Sequence, residues 1–189
     1  MKVIRFYKNE EQLIKRAGNN QREAQRRLYD KYAPKMLSIC RRYITDQQFA
    51  EDVMIGAFAK VFSKINQFKF EGSFEGWIRR IMVNESISHL RKEKRFIYTE
   101  EFTANDEQGY EHHQQDLTVE EIQLLIDKLP NGYKMVFILY AIEGYKHKEI
   151  AQKLDISESA SKTQLFKARK LLQKQITKLN RKNDGTFKI

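Results

Sequence analysis

Apolar residues recur along most of this chain at intervals of three and four, the period of a helix with one buried face. From Gln21 to Ile44 they fall at Ala24, Leu28, Tyr32, Met36, Leu37, Cys40 and Tyr43. Pro34 lies inside that run and lacks an N–H, so a kink or a split is expected there. A second stripe, from Phe49 to Ile65, is Val53, Ala57, Phe58, Val61, Phe62 and Ile65. The third, from Phe74 to Leu90, is Phe74, Trp77, Ile78, Ile81, Ile87 and Leu90. Three amphipathic helices of this kind make one bundle. A short extra helix is expected around Glu10 to Arg16.

Residues 96–117 break the period and read as a mobile linker. Helical spacing resumes at Thr118–Lys128, Gly132–Ile142, Lys146–Leu154 and Glu158–Lys178. Thr118 with Glu121 has the spacing of a capping box, in which each side chain satisfies the other's free backbone N–H. Only 2 Pro and 8 Gly occur in 189 residues. The expectation is an all-α chain of two small helical domains on a flexible acidic linker: 1–95, 96–117 and 118–182, with a frayed tail at 183–189.

Charge sharpens this picture. The formal net charge is +10, which points to a polyanionic partner. No Lys or Arg occurs from Phe96 to Asp127, a stretch that holds nine of the 25 acidic residues. The basic residues thus form two flanks around an acidic middle, and two separate polyanion contacts are implied. The one cysteine, Cys40, permits no internal disulfide and reads as a buried apolar residue in a reducing, cytoplasmic setting. No apolar run approaches the ~20 residues of a membrane span.

The stretch "YKHKEIAQKLDISESASKTQLFKARKLL", Tyr145–Leu172, is two short helices around Asp155-Ile156-Ser157. Ser157 is a suitable N-cap, since its hydroxyl can accept from an unpaired N–H. Ser161, Leu165, Ala168 and Leu172 then face inward, while Lys162, Thr163, Phe166, Lys167 and Lys170 face outward. Lysines neutralise phosphates and an exposed Phe can touch a thymine methyl, so this reads as a helix-turn-helix aimed at a major groove. A plain hairpin with a solvated basic face is the competing explanation.

"FKFEGSFEGWIRRIMVNESISHLRKEKR", Phe68–Arg95, interleaves Phe68, Phe70, Phe74 and Trp77 with Lys69, Arg79, Arg80, Arg91, Lys92, Lys94 and Arg95. Bases stack on rings while a strand's backbone follows positive charge, so this pattern fits single-stranded nucleic acid. Core packing is the leading explanation for Phe74 and Trp77 individually. Phe70, beside Gly72, is open to either reading. The pair His112-His113 has no Cys or third His nearby and reads as solvated. His89 and His147 read as surface residues. No Walker loop or G-x-G-x-x-G is present, no cofactor or metal is expected, and an enzyme finds little support.

From about Glu23 to Leu172 the chain resembles the extracytoplasmic-function (ECF) sigma factors of bacterial RNA polymerase. The resemblance rests on "LYDKYAPKMLSICRRYITDQQFAEDV", "GSFEGWIRRIMVNESISHLRK", "IDKLPNGYKMVFILYAIEGYKHKEIAQKLDISES" and "KTQLFKARKLL" in that order. It implies a region 2 domain and a region 4 domain. Region 4 would read the −35 element as duplex through Lys162, Thr163, Phe166 and Lys167, with Arg169 on a phosphate or in an ion pair. Region 2 would capture an unpaired −10 base in a loop of Lys69, Phe70, Glu71, Gly72, Ser73 and Phe74. Asn84 would read a base edge, and Arg79, Arg80, Arg91 and Lys92 would hold the strand. Glu51 and Asp52 would face the polymerase beta-prime clamp; the beta flap, promoter DNA and an anti-sigma factor are the further partners implied. The chain departs from the family at Ile55 and Gly56, where Gln-Glu is usual, at Ser88 for a common Asp, and at Ser161 for a common buried Val. The last predicts a slightly looser second core. The alternative is a stand-alone helix-turn-helix regulator that works without polymerase.

Overall fold

The computed structural model describes residues 2–92 and 117–184, with side chains for 10–92 and 117–179. Chain contacts divide the molecule into two units, Met1–Lys92 and Glu93–Ile189. The described residues of both are helical, without strands. Most of the segment read as a linker, including His112-His113, lies outside the described residues.

The first unit contains α1 (Lys2–Gly18), α2 (Arg22–Tyr43), α3 (Gln47–Lys64), a 3-10 turn (Ile65–Gln67) and α4 (Phe74–Lys92). Helices α2, α3 and α4 all pack on one another, and α1 lies on α2. Leu28, Met36, Val61, Ile78, Met82 and Val83 are fully enclosed. Each such side chain withdrawn from water contributes roughly 1.5–3 kcal/mol. Asp46 starts α3, its carboxylate accepting from the Phe49 N–H at 3.1 Å. Most residues of the expected stripes are buried, Leu37, Val53, Phe62, Trp77 and Ile81 only half so, and Ile39, Ala50, Met54 and Met82 join the buried set. The expected short first helix is longer than its side-chain pattern suggested.

Helix α2 does not split at Pro34. Pro34 and Asp30 are both exposed, so the carbonyl freed by the missing N–H faces water. Buried residues on either side, Leu28 and Tyr32 before and Met36, Ile39 and Cys40 after, hold the helix on the bundle.

The second unit is α5 (Val119–Asp127), α6 (Asn131–Phe137), a π turn (Ile138–Ile142), α7 (His147–Leu154) and α8 (Glu158–Asp184). The capping box at the start of α5 is formed: Thr118 Oγ1 accepts from the Glu121 N–H at 3.2 Å, and Glu121 accepts from the Thr118 N–H at 2.9 Å. The helix expected over 132–142 instead widens after Phe137, with the Glu143 N–H donating to the Ile138 carbonyl at 3.0 Å. A π turn adds a residue to the helical turn. Here it lets adjacent Ile138 and Leu139 both sink into the core while Tyr140 stays at the surface. An ion pair from buried Lys134 to half-buried Asp127, at 2.5 Å, ties α6 to the end of α5.

Candidate nucleic-acid interfaces

Helix α7 begins where the Lys146 N–H donates to Glu149 at 2.8 Å. It ends at Asp155, whose φ of 58° is left-handed. Asp is among the few residues that visit this region readily, because its short side chain can bond locally. Ser157 then caps α8 as expected, accepting from the Ala160 N–H at 3.0 Å. Ser161, Leu165, Ala168 and Leu172 are buried together with Gln164. Lys162, Thr163, Phe166 and Arg169 are exposed, Phe166 to 61%. Lys167 and Lys170 are half-buried.

The cations on this face are arranged by their neighbours. Lys162 pairs with Glu158 at 2.8 Å, and that hydrogen bond holds the Glu158 carboxyl below its usual range. Lys170 lies over the Phe166 ring at 5.5 Å, Lys167 over Tyr133 at 5.9 Å and Arg169 over Tyr140 at 5.6 Å. Cation–π contacts of this kind restrain long side chains without consuming their charge.

His147 corrects the surface assignment. It is half-buried, stacks on Tyr140 at 4.7 Å, and its Nδ1 is 2.9 Å from Ser161 Oγ. His89 is likewise half-buried, against Phe49 at 5.8 Å. Hydrophobic spacing could not reveal either contact, since both join different helices.

In the first unit, Phe68 anchors the loop that precedes α4. Its ring lies 4.9 Å from Phe70, 5.2 Å from Phe74 and 5.7 Å from Trp77. Phe74 is buried, and half-buried Trp77 stacks on it at 5.7 Å and 19°. Core packing thus accounts for Phe68 and Phe74, while Phe70 and Trp77 keep open ring surface. Lys69, Phe70, Glu71, Gly72 and Ser73 are exposed. Gly72 has φ 108°, which only glycine adopts readily. Phe70 has φ 60°, a strained value for an aromatic residue. Ser73 Oγ accepts from the Gly76 N–H at 3.1 Å and so starts α4.

Along α4, Arg80, Asn84, Ser88 and Arg91 are exposed at intervals of four, four and three, forming one stripe. Lys92 is exposed and Arg79 half-buried. On α3, Glu51 is half-buried and accepts from Gln47 at 2.9 Å. Asp52 is exposed beside Ile55, which is 55% exposed. Sequence reasoning missed a cleft of about 570 Å3 between α1, α2 and the 68–74 loop. Glu10 stands in it, accepting from Lys31 at 2.5 Å and from the Tyr32 hydroxyl. Only a contact between helices distant in sequence creates this site, so no local pattern announces it.

Residues 28–96 match the family model for sigma-70 region 2, and residues 119–172 match that for sigma-70 region 4. The RNA polymerase sigma factor SigV of Bacillus subtilis is 30% identical over 137 residues, covering 72% of this chain and 81% of SigV. The chain belongs to the sigma-70 family. An ECF RNA polymerase sigma-E factor from Haemophilus influenzae is 26% identical over 88% of this chain and 95% of its own length. Among solved structures, the sigma factor RpoE in complex with the anti-sigma factor NepR, from Bartonella quintana, is similar at TM-score 0.49 and 19% identity. That match covers 80% of this chain and 95% of the other. As an ECF sigma-70 member, this chain is an initiation factor for RNA polymerase. Its α7–α8 pair is the helix-turn-helix of region 4, and the aromatic loop with α4 belongs to region 2.

Proposed function

We propose that this sigma factor divides promoter recognition between its two units. Lys162, Thr163, Phe166 and Lys167 on α8 meet the −35 element as duplex, with Arg169 at the edge on a phosphate. The loop Lys69–Phe74 captures an unpaired −10 base, Asn84 reads a base edge, and Arg79, Arg80, Arg91 and Lys92 hold the strand backbone. Glu51 and Asp52, extended by exposed Ile55, face the polymerase beta-prime clamp. Residues 1–95 and 118–182 are the two working domains, and 96–117 spans between them. That linker can reach roughly 70–80 Å when extended, while two helical turns of DNA span about 70 Å. The beta flap and an anti-sigma factor complete the partners in this reading, and the chain acts in the cytoplasm without catalytic chemistry of its own. Among the described residues no helix is long and apolar enough to cross a membrane.

The observation that carries this reading is that exposed Phe70 and half-buried Trp77 are packed on buried Phe68 and Phe74, around the start of the helix that carries the exposed stripe Arg80, Asn84, Ser88 and Arg91. Open ring surface followed by a basic stripe suits an unpaired strand, which a duplex-only regulator does not handle. Flipping a base out of the duplex costs a few kcal/mol, and stacking returns about 1–3 kcal/mol per base. Capture is therefore marginal by itself, and the polymerase must supply the remaining grip.

Gel shifts with a promoter forked at the −10 element separate the two functional classes. The proposal expects a specific shift only when core polymerase is present. Equally tight, specific binding of intact duplex by the chain alone would instead identify a stand-alone regulator.

A further inference from the structure

The cleft beside the capture loop has two chemically different ends. Phe68, Phe70 and Phe74 form an apolar wall, and Glu10, Lys31 and Tyr32 form a polar end. Its volume of about 570 Å3 falls in the range of small-molecule sites, ~300–1,000 Å3. Three carboxylates line it, Glu10, Glu11 and Glu75, and each is paired with a lysine: Lys31 at 2.5 Å, Lys15 at 2.6 Å and Lys35 at 2.6 Å. A lining balanced in charge offers a phosphate no unpaired cation, whereas Lys69 and Arg80 are exposed to the strand backbone. A neutral base is the part of a nucleotide that this cleft can accept.

We propose that Glu10 reads the captured base, favouring those with an exocyclic amino group over thymine. This deepens the proposed function and rests on its capture step. Among the described residues, Lys31 and Tyr32 both donate to Glu10 Oε1 and none donates to Oε2. An ionised carboxylate is acceptor-only. Burial raises the Glu10 carboxyl, but the hydrogen bonds from Lys31 and Tyr32 outweigh it and keep the group ionised. Cytosine, adenine and guanine each offer an amino donor, and carboxylate to cytosine N4 is an established pairing of base edge and side chain. Thymine offers two carbonyls around one N–H, so it meets the carboxylate with like polarity. The opposite wall is pre-set: Phe70 holds its left-handed backbone against Phe68, with Lys15 over its ring at 5.6 Å.

The test uses holoenzyme built from the full chain and core polymerase, titrated with fluorescent single-stranded −10 oligonucleotides. Each position is made abasic in turn, and the position that matters most is then filled with cytosine, thymine or 2-pyrimidinone, which is cytosine without its amino group. Cytosine is expected to bind roughly fivefold or more tightly than thymine, with 2-pyrimidinone falling to the thymine level. Glu10→Gln, whose amide donates as well as accepts, should bring the cytosine-to-thymine ratio close to one. An unchanged ratio in Glu10→Gln, with the abasic effect intact, overturns the inference and leaves capture standing. No abasic-sensitive position at all overturns both. Should Glu10→Gln fail to fold, 2-pyrimidinone on the unaltered protein decides: binding equal to cytosine's overturns the inference.

Discussion

His147 Nδ1 lies 2.9 Å from Ser161 Oγ and links the first residue of α7 to the inner face of α8. Ser161 is fully buried, and the resemblance predicted a loose spot there because valine is common at this position. The hydroxyl is used instead. Ser161→Val removes the imidazole's partner and should destabilise the second unit by about 1 kcal/mol. The double change Ser161→Val with His147→Phe should recover most of that, since replacing both partners by apolar groups is nearly neutral. Denaturant unfolding, followed by hydrogen exchange in α7 and α8, measures both.

The recognition face makes a quantitative prediction about salt. Lys162 and Lys167 are proposed to neutralise one phosphate each. The logarithm of duplex affinity falls with log salt by about 0.9 per phosphate neutralised. Replacing both lysines with Ala should lower the slope by roughly 2 and weaken binding on all sequences alike. Titrating −35 duplex with holoenzyme at several salt concentrations reads it. An unchanged slope would remove both residues from the DNA face.

Acid should loosen α1 first. The Glu10 carboxyl, raised by burial but more strongly lowered by Lys31 and Tyr32, titrates below its ordinary 4.5. A lowered carboxyl adds stability that is present above pH 4.5 and lost as pH falls through the folded value. Hydrogen exchange in α1 should therefore accelerate below about pH 4.5. Lys31→Met, which removes the lowering charge, should move that onset to higher pH.

Gly56 lies on the exposed side of α3, and a Cβ built there meets nothing within 4 Å. Gly56→Ala should stabilise the first unit by about 1 kcal/mol through helix propensity alone. The unfolding midpoint gives the direction. A lower midpoint would mean that the position carries a constraint beyond the free helix.

The helical periodicity made α2, α3, α4, α7 and α8 legible, because each buries one face and the spacing records that face. The caps at Thr118 and Ser157 were equally readable, since their partners are three residues away. Three features were not. Continuity through Pro34 depends on which side of the bundle that residue occupies. The π turn after Phe137 depends on two adjacent apolar residues both finding core. The polar end of the cleft needs Glu10 to meet Tyr32 across 22 residues of chain, and no local pattern encodes such a meeting.

Run-off transcription tests the central claim most directly. Core polymerase and the purified chain are combined on genomic fragments, with Asn84→Ala and the Lys162/Lys167 double variant alongside. The account predicts discrete transcripts that require the chain, are reduced by Asn84→Ala and are lost with the double variant on promoters that depend on their −35 element. Failure of the chain to associate with core polymerase, or transcripts indifferent to all three residues, would contradict it.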